Sequence, residues 1–553
     1  MNKSGLLSIV SIFVGVPAHA ATIEAVIKTT SVIRDDIGRA TFGAGIEFQS
    51  PQFRWLMDTG PDADGPATPA QRKVKGFNLG SLRFPSGDGA QLYLWDDPQH
   101  SITATAVGKD ARSKWITQEQ ILKFTSPQSA FADGLDAQRV FQVNSCQYVD
   151  YEAGWKVRQV NRNFFQKELP AEVDEAVLEK VASRAAAWVQ DNNGKPAHES
   201  VEFWEVGNED WIYWSGAQYG TIFNKFREKM LPKRAGIKFL AQGLSADFAT
   251  HSNGTNTMEN WVEGMKANIT GLPGSVYAYS DHQYMTADEY ASDAPEQKRI
   301  KQTQDILAKV ATNERLGNLK AKLASSPLTS PWKIWITEFN TFMRAKGKLD
   351  NPQDMGQALV IADWTGKMLV QGVERMFYHS LDHHPDFALV QYVNEGGTIT
   401  APRVTPPGYA YTIFPQEFGK TMVNNTVGTS TYPNVRLTAP NGMGYEQLAV
   451  YSSIRKDSVN GDTLRVIVIN RATTGVTTFN LKTENIAGAR RMKNAPAKYT
   501  YRQLRSANLS DSNRAATDAV SWSAPTQYDS SEWGITGASL GPASVNLFVI
   551  PLQ

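Results

Sequence analysis

The sequence predicts a (βα)8 barrel followed by an antiparallel β-sandwich, and three observations carry that prediction. At 553 residues the chain is too long for one ordinary core, so a large domain and a smaller one are expected. From about residue 40 to 400, short apolar runs alternate with longer helical patterns, the rhythm of βα units on a parallel sheet. After about residue 425 the texture changes to short strand-like runs separated by turn residues.

The first 20 residues read as a signal peptide. Lys3 supplies the positive start, Leu6 to Val16 a short apolar run, and Ala18-His19-Ala20 the cleavage site, so the mature chain is expected to start at Ala21. The apolar run is too short to cross a bilayer well, and no later stretch is long enough either. A periplasmic or secreted protein, with no membrane contact once the signal is removed, is expected. Residues 21–37 come next, and the strand-like Ala21–Ile33 is expected to join the sandwich.

The barrel is expected over 38–425. Its strands, in order, are Thr41–Phe48, Leu79–Pro85, Gln138–Ser145, Val201–Gly207, Ile237–Gly243, Val276–His282, Lys333–Glu338 and Arg375–Leu381. Helical spacing marks Glu172–Asn192, Gln218–Lys233, Met258–Asn268, Gln297–Ala324 and Met355–Val370 between them. The extra length sits in Ser50–Ala70 and Asp88–Ser126, after the first and second strands. Loops there face the end of a barrel where active sites form, so both are candidate cleft walls. The sandwich, 426–553, is read from Val435–Leu437, Gln447–Ser453, Thr463–Asn470, Thr477–Leu481, Tyr499–Leu504 and Ser544–Pro551.

Composition narrows the function. The chain is 41% apolar and 20% charged with a formal net charge of +1, so nothing points to nucleic acid. Cys146 is the only cysteine, which rules out a disulfide within one chain. No phosphate-binding loop and no Gly-x-Ser-x-Gly elbow occurs. Asp382-His383-His384, with His379, could be read as metal ligands, but no second cluster completes a set at a familiar spacing. No metal or cofactor is therefore expected, and His383 is a candidate polar contact to substrate. No residue pattern speaks to oligomeric state.

Two strand ends carry the chemistry. Phe203-Trp204-Glu205-Val206-Gly207-Asn208-Glu209 and Ile334-Trp335-Ile336-Thr337-Glu338-Phe339-Asn340 are apolar strands that run into a carboxylate. As the fourth and seventh strands of one barrel they would open onto the same face. Two carboxyl groups suffice to break an acetal through an oxocarbenium-like transition state: one protonates the leaving oxygen, the other attacks the anomeric carbon. A separation of about 5–5.5 Å gives retention and a wider gap gives inversion. Glu209 and Glu338 are the candidates, and a carbohydrate is the expected partner. Trp204, Trp211, Tyr213, Trp214, Trp335 and Phe339 lie close to them in sequence. Trp211, Trp214 and Trp335 are candidate stacking surfaces for sugar rings, and Trp95 is a further aromatic in the second loop.

The Gly207-Asn208-Glu209 and Thr337-Glu338-Phe339-Asn340 segments resemble those of clan A glycoside hydrolases. The nearest likeness is to the group containing α-L-arabinofuranosidases, β-xylosidases and β-glucuronidases of the heparanase type. The resemblance implies a retaining hydrolase with Glu209 as acid/base and Glu338 as nucleophile. It implies that Asn208 binds a sugar 2-hydroxyl. Leu82-Arg83-Phe84-Pro85-Ser86-Gly87 resembles the clan's second-strand segment, with Arg83 holding the nucleophile. Asp281-His282-Gln283-Tyr284 resembles the sixth-strand segment, with His282 and Tyr284 beside the nucleophile. Gly43-Ala44-Gly45-Ile46-Glu47 resembles the first-strand segment, with Glu47 on sugar hydroxyls, and Asn144 ends the third strand in a similar place. Two other classes stay open: a carbohydrate-binding protein without catalysis, and a polysaccharide lyase. A lyase leaves an unsaturated sugar that absorbs in the ultraviolet, whereas hydrolysis leaves a reducing end.

Overall fold

The computed structural model describes residues 21–47, 69–87, 90, 93, 95–96, 117–125, 135–145, 149–150, 156–157, 173–196, 199–245, 249–251, 254–272, 274–325, 332–345, 348–350, 353–382, 387–395, 398–485, 487–492, 498–513, 519–530 and 534–553. The expected signal peptide, Cys146, His383, His384 and most of the two long loops lie outside them. Among the described residues, no helix is long and apolar enough to cross a membrane.

Eight parallel strands close into a barrel: Phe42–Gly45, Ser81–Phe84, Gln138–Val143, Phe203–Val206, Lys238–Gln242, Ala278–Thr286, Lys333–Ala345 and Arg375–Tyr378. Each pairs with the next, and the eighth returns to the first, Met376 opposite Phe42. Helices follow every strand: Pro69–Gly76, Gln118–Thr125, Glu175–Asn193, Gly216–Met230, Met258–Asn268, Pro295–Ala311 with Arg315–Ala324, Met355–Val370 and Pro406–Glu417. Their starts are set by local chemistry. Asp174 accepts from the backbone N–H groups of Ala176 and Val177, and Ser215 forms a reciprocal capping pair with Gln218.

Helix prediction differs in several places: Pro69–Gly76 and Gln118–Thr125 were not expected, the latter inside a stretch read as loop, and two further departures have a local cause. The single helix expected over Gln297–Ala324 is two, because Thr312–Glu314 interrupts it and the Asn313 side chain accepts from Arg315 N at 3.0 Å. The helix Pro406–Glu417 was not expected. It begins with two prolines and contains Pro415, signals that normally read as breakers, yet Thr405 caps it through Gly408 N at 3.0 Å.

Strand alternation divides the barrel interior into layers. Val140, Phe203, Leu240, Ala278, Trp335 and Phe377 form an apolar floor. The next inward positions are polar: Arg83, Gln142, Glu205, Gln242, Ser280 and Thr337, all buried. Outward positions, such as Trp204, Val206, Ile336 and Phe339, pack under the helices in the main core.

The second domain is a ten-stranded sheet built mainly from residues after 420, with Thr22–Arg34 inserted between Thr421–Val427 and Thr477–Thr483. It folds over on itself: Tyr499 near one edge and Ile535 at the other share one core with Ile23, Val466, Phe479 and Phe548. Pairing is antiparallel except between Thr22–Arg34 and Thr477–Thr483, which is parallel. Thr421–Val427 runs across the expected boundary at 425 and hydrogen-bonds within this sheet, because its neighbours there are Thr22–Arg34 and Leu448–Arg455.

Candidate active site

The open end of the barrel gathers side chains from six strands around Arg83. This guanidinium is fully buried and donates in four directions: Nε to Glu205 Oε2 at 2.5 Å, Nη1 to Glu338 Oε1 at 2.6 Å and to Ser86 Oγ at 3.2 Å, and Nη2 to Asn208 Oδ1 at 3.1 Å. Burial works against its charge, but the Glu205 and Glu338 carboxylates outweigh that and raise its pKa.

Glu338 reaches this place through a break in strand alternation. Along the seventh strand, Trp335 faces the floor, Ile336 faces the helices, and Thr337 faces inward, where its hydroxyl lies 2.5 Å from Ser280 Oγ. Regular pleating would send Glu338 outward. Instead the register to the sixth strand slips, with Ile336 opposite Asp281 but Glu338 opposite His282. That bulge turns two consecutive side chains inward. Glu338 Oε1 accepts from Arg83 and from Gly87 N at 3.2 Å, and Oε2 accepts from the Tyr284 hydroxyl at 2.7 Å. Burial pushes the Glu338 pKa up, but the facing charges of His282, His379 and Arg83 and the Tyr284 hydroxyl prevail, holding it well below the usual carboxylate range.

Glu209 arrives by a tight turn after the fourth strand. Gly207 has φ +86°, and a Cβ there would collide with the Asp210 carboxylate. Glu209 itself sits at φ +50°, an uncommon conformation for a residue with a side chain, and its N–H donates to Gln242 Oε1 at 3.1 Å. Its side chain is 20% exposed against 5% for Glu338, so it is the more open of the two. A Glu209 oxygen, a Glu338 oxygen and a His282 ring nitrogen all lie within 4.8 Å of one another.

His282 bridges the pair: Nδ1 is 3.0 Å from Glu209 Oε1 and 3.5 Å from Glu338 Oε2, while Nε2 is 3.3 Å from Arg83 Nη2. Because arginine only donates, the neutral ring must accept at Nε2 and donate from Nδ1 to Glu209. Burial lowers its pKa, yet Glu338 and Glu209 outweigh burial and Arg83 repulsion, and the net direction is up. These three residues could also ligate a cation, although the Arg83 guanidinium already sits against Glu338.

Asn208 is oriented by its Oδ1, which accepts from Arg83 and from Gln142 Nε2 at 2.8 Å. Glu47 lies beside the site and pairs with His379, Oε1 to Nε2 at 3.2 Å. Asn144 follows the third strand half-buried, two residues beyond Gln142.

The expected aromatic platform needs correction. Trp335 is on the apolar floor, under Arg375 and bonded through Nε1 to Glu374 at 2.8 Å, so it cannot reach a substrate. Three residues of strand separate it from Glu338, about 10 Å along the chain. Trp214 is fully buried in the main core, as are Trp204 and Phe339, and Tyr213 is nearly so. Trp95 stacks on Trp188 of the third helix rather than facing a cleft. Trp211 remains half-buried after Glu209, in the short turn Asp210–Ile212. The aromatic that does contact Glu338 is Tyr284, stacked on Phe342 at 4.4 Å, while Phe387 lies edge-on to both Phe342 and His379.

Sequence reasoning passed over Glu205 and, as a site residue, His379. Glu205 was findable: a carboxylate on an inward strand position needs a cation, and Arg83 occupies an inward position two strands away. His379 directly follows the eighth strand, at the end of the barrel where Glu338 lies, which was its signal.

Neither a protein-family profile nor a curated protein sequence matches the chain. Solved structures do. An α-L-arabinofuranosidase from Thermotoga maritima, in complex with arabinose, is 15% identical, with a TM-score of 0.65 over 95% of this chain and 99% of that one. A family 51 α-L-arabinofuranosidase from Bifidobacterium longum is 14% identical, with a TM-score of 0.67 over 96% of this chain and 99% of that one. A family 44 xyloglucanase from Paenibacillus polymyxa is 11% identical, with a TM-score of 0.56 over 96% and 100%. At such identities the likeness is one of fold, and it spans both domains.

Proposed function

We propose that this chain is a retaining glycoside hydrolase that cleaves O-glycosidic bonds of a plant or microbial polysaccharide or oligosaccharide by double displacement. One observation carries the reading: two carboxyl groups from different strands approach within 4.8 Å at the open end of the barrel, and their surroundings differ. An approach this close suits a retaining pair, with carboxyl groups at ~5–5.5 Å, and is short of the ~6.5–9.5 Å that an inverting water needs. Glu338, held ionised by Arg83, Tyr284 and two histidines, is the nucleophile. Glu209, more open and bonded to His282, is the acid/base.

In the first step Glu338 attacks the anomeric carbon and Glu209 gives its proton to the leaving oxygen. In the second, Glu209 takes a proton from water, the water oxygen bonds to the anomeric carbon, and Glu338 departs. Asn208, with its Oδ1 fixed by two donors, presents its amide N–H to the sugar 2-hydroxyl. The full-length likeness in fold to glycoside hydrolases of families 51 and 44 supports the class.

The roles predict an asymmetry. Glu338→Ala abolishes turnover on every substrate. Glu209→Ala keeps appreciable activity on aryl glycosides whose leaving group needs no proton, because acid help of about 10²–10⁴-fold is then dispensable in the first step. Steady-state rates on activated and unactivated substrates check this, and equal loss in both variants contradicts it. Export is part of the proposal, resting on the N-terminal pattern, and the mass of the mature protein should correspond to a start at Ala21.

A further inference from the structure

We infer that His379 is a substrate-contacting residue whose ring, anchored on Glu47, presents Nδ1 to a neutral hydroxyl of the sugar bound against Glu338. The inference rests on the reading of Glu338 and Glu209 as a glycosidase pair.

The ring is held on three sides. Its backbone N–H donates to Phe339 O at 3.2 Å, and its carbonyl accepts from Asn340 Nδ2 at 2.5 Å. Nε2 bonds Glu47 at 3.2 Å, and Phe387 closes on the ring edge-to-face at 5.6 Å. Nδ1, by contrast, is buried with no hydrogen-bond partner among the described residues. Glu338 Oε2 lies 3.8 Å away, too far for a hydrogen bond. A buried polar atom left unpaired is costly, and natural interiors rarely leave one without a purpose. This atom sits beside the carboxylate that must meet the anomeric carbon, so an arriving sugar brings oxygens to it.

The charges around the ring select the group. Glu47 from the first strand end and Glu338 from the seventh face it, with Arg83 from the second and Tyr284 from the sixth nearby. A substrate carboxylate placed at Nδ1 would lie against the Glu338 carboxylate, whereas a hydroxyl accepts from Nδ1 without adding a like charge. The pocket beside His379 therefore fits a neutral sugar rather than a uronic acid. Burial lowers the ring's pKa, but Glu338 and Glu47 raise it to about 9, so Nδ1 carries a proton at neutral pH.

The test is a cycle of protein and substrate changes on the 4-nitrophenyl glycoside that the wild type cleaves best, with each monodeoxy version of its sugar. His379→Ala should lower kcat/KM by about ten- to a hundredfold on the parent glycoside. Removing one particular hydroxyl should cost the wild type a similar factor and cost His379→Ala little, because the two changes remove the same contact. His379→Gln, whose amide still donates, should retain more activity than His379→Ala and lose the alkaline limb of kcat/KM near pH 9. If every deoxy sugar is additive with the substitution, or the limb is unchanged in His379→Gln, the inference is overturned. If the wild type cleaves no glycoside, the glycosidase reading itself fails. Should His379→Ala not fold, His379→Gln carries the same cycle.

Discussion

Arg83 joins the two strand ends, because one guanidinium contacts the nucleophile candidate, the buried Glu205 and the Asn208 that precedes Glu209. Arg83→Met leaves two buried carboxylates without their cation and should destabilise the fold by about 3–5 kcal/mol, read as a lowered urea midpoint at pH 7. Arg83→Lys should not restore it, since one ammonium cannot span the four acceptors. His379 gives a second prediction. Its folded pKa of about 9 lies above the unfolded 6.5, so its stabilisation is complete below pH 6.5 and is lost as pH rises through about 9. Comparing urea midpoints at pH 6 and pH 9.5, the wild type should lose more stability than His379→Gln, and equal losses would contradict the charge assigned here.

At the scale of elements, the turn Gly207–Glu209 and the bulge at Thr337–Glu338 aim the two carboxylates. Gly207→Ala adds a Cβ against Asp210 at φ +86°. It should cost about 1–3 kcal/mol and displace Glu209, lowering kcat more than it changes KM. An unchanged kcat would mean that the turn does not position Glu209. These elements also mark what was legible in the sequence. All eight strands could be read because short apolar runs recur between longer helical patterns, and the Asn-Glu and Glu in two of these segments stood out. The bulge could not be read, since strict alternation puts Glu338 on the outer face. The same pleat explains the error over Trp335: neighbours in sequence lie at different depths in the barrel. Trp214 failed for a related reason, as the turn after Glu209 curls its ring back under the helices.

For the whole molecule, a buried ion pair helps to lock the two domains together. Asp363, on the helix Met355–Val370, accepts from Arg471 Nε at 2.8 Å and Nη2 at 2.9 Å and from the Tyr451 hydroxyl at 2.7 Å, both partners belonging to the sandwich. Asp363→Ala strands a buried guanidinium and should destabilise by about 3–5 kcal/mol. Adding Arg471→Met should recover most of that, as thermal melts can show, with little change in kcat at 25 °C because the described site residues all belong to the barrel domain. The insertion of Thr22–Arg34 into the sandwich ties both ends of the described chain into one sheet.

The most direct measurement is proton NMR of the anomer released first from a cleaved glycoside, recorded before mutarotation. Carboxylates this close leave no room for a water between them and the sugar, so the product should keep the anomeric configuration of the substrate. First release of the opposite anomer would contradict the assignment of Glu338 as nucleophile and, with it, the account of the site.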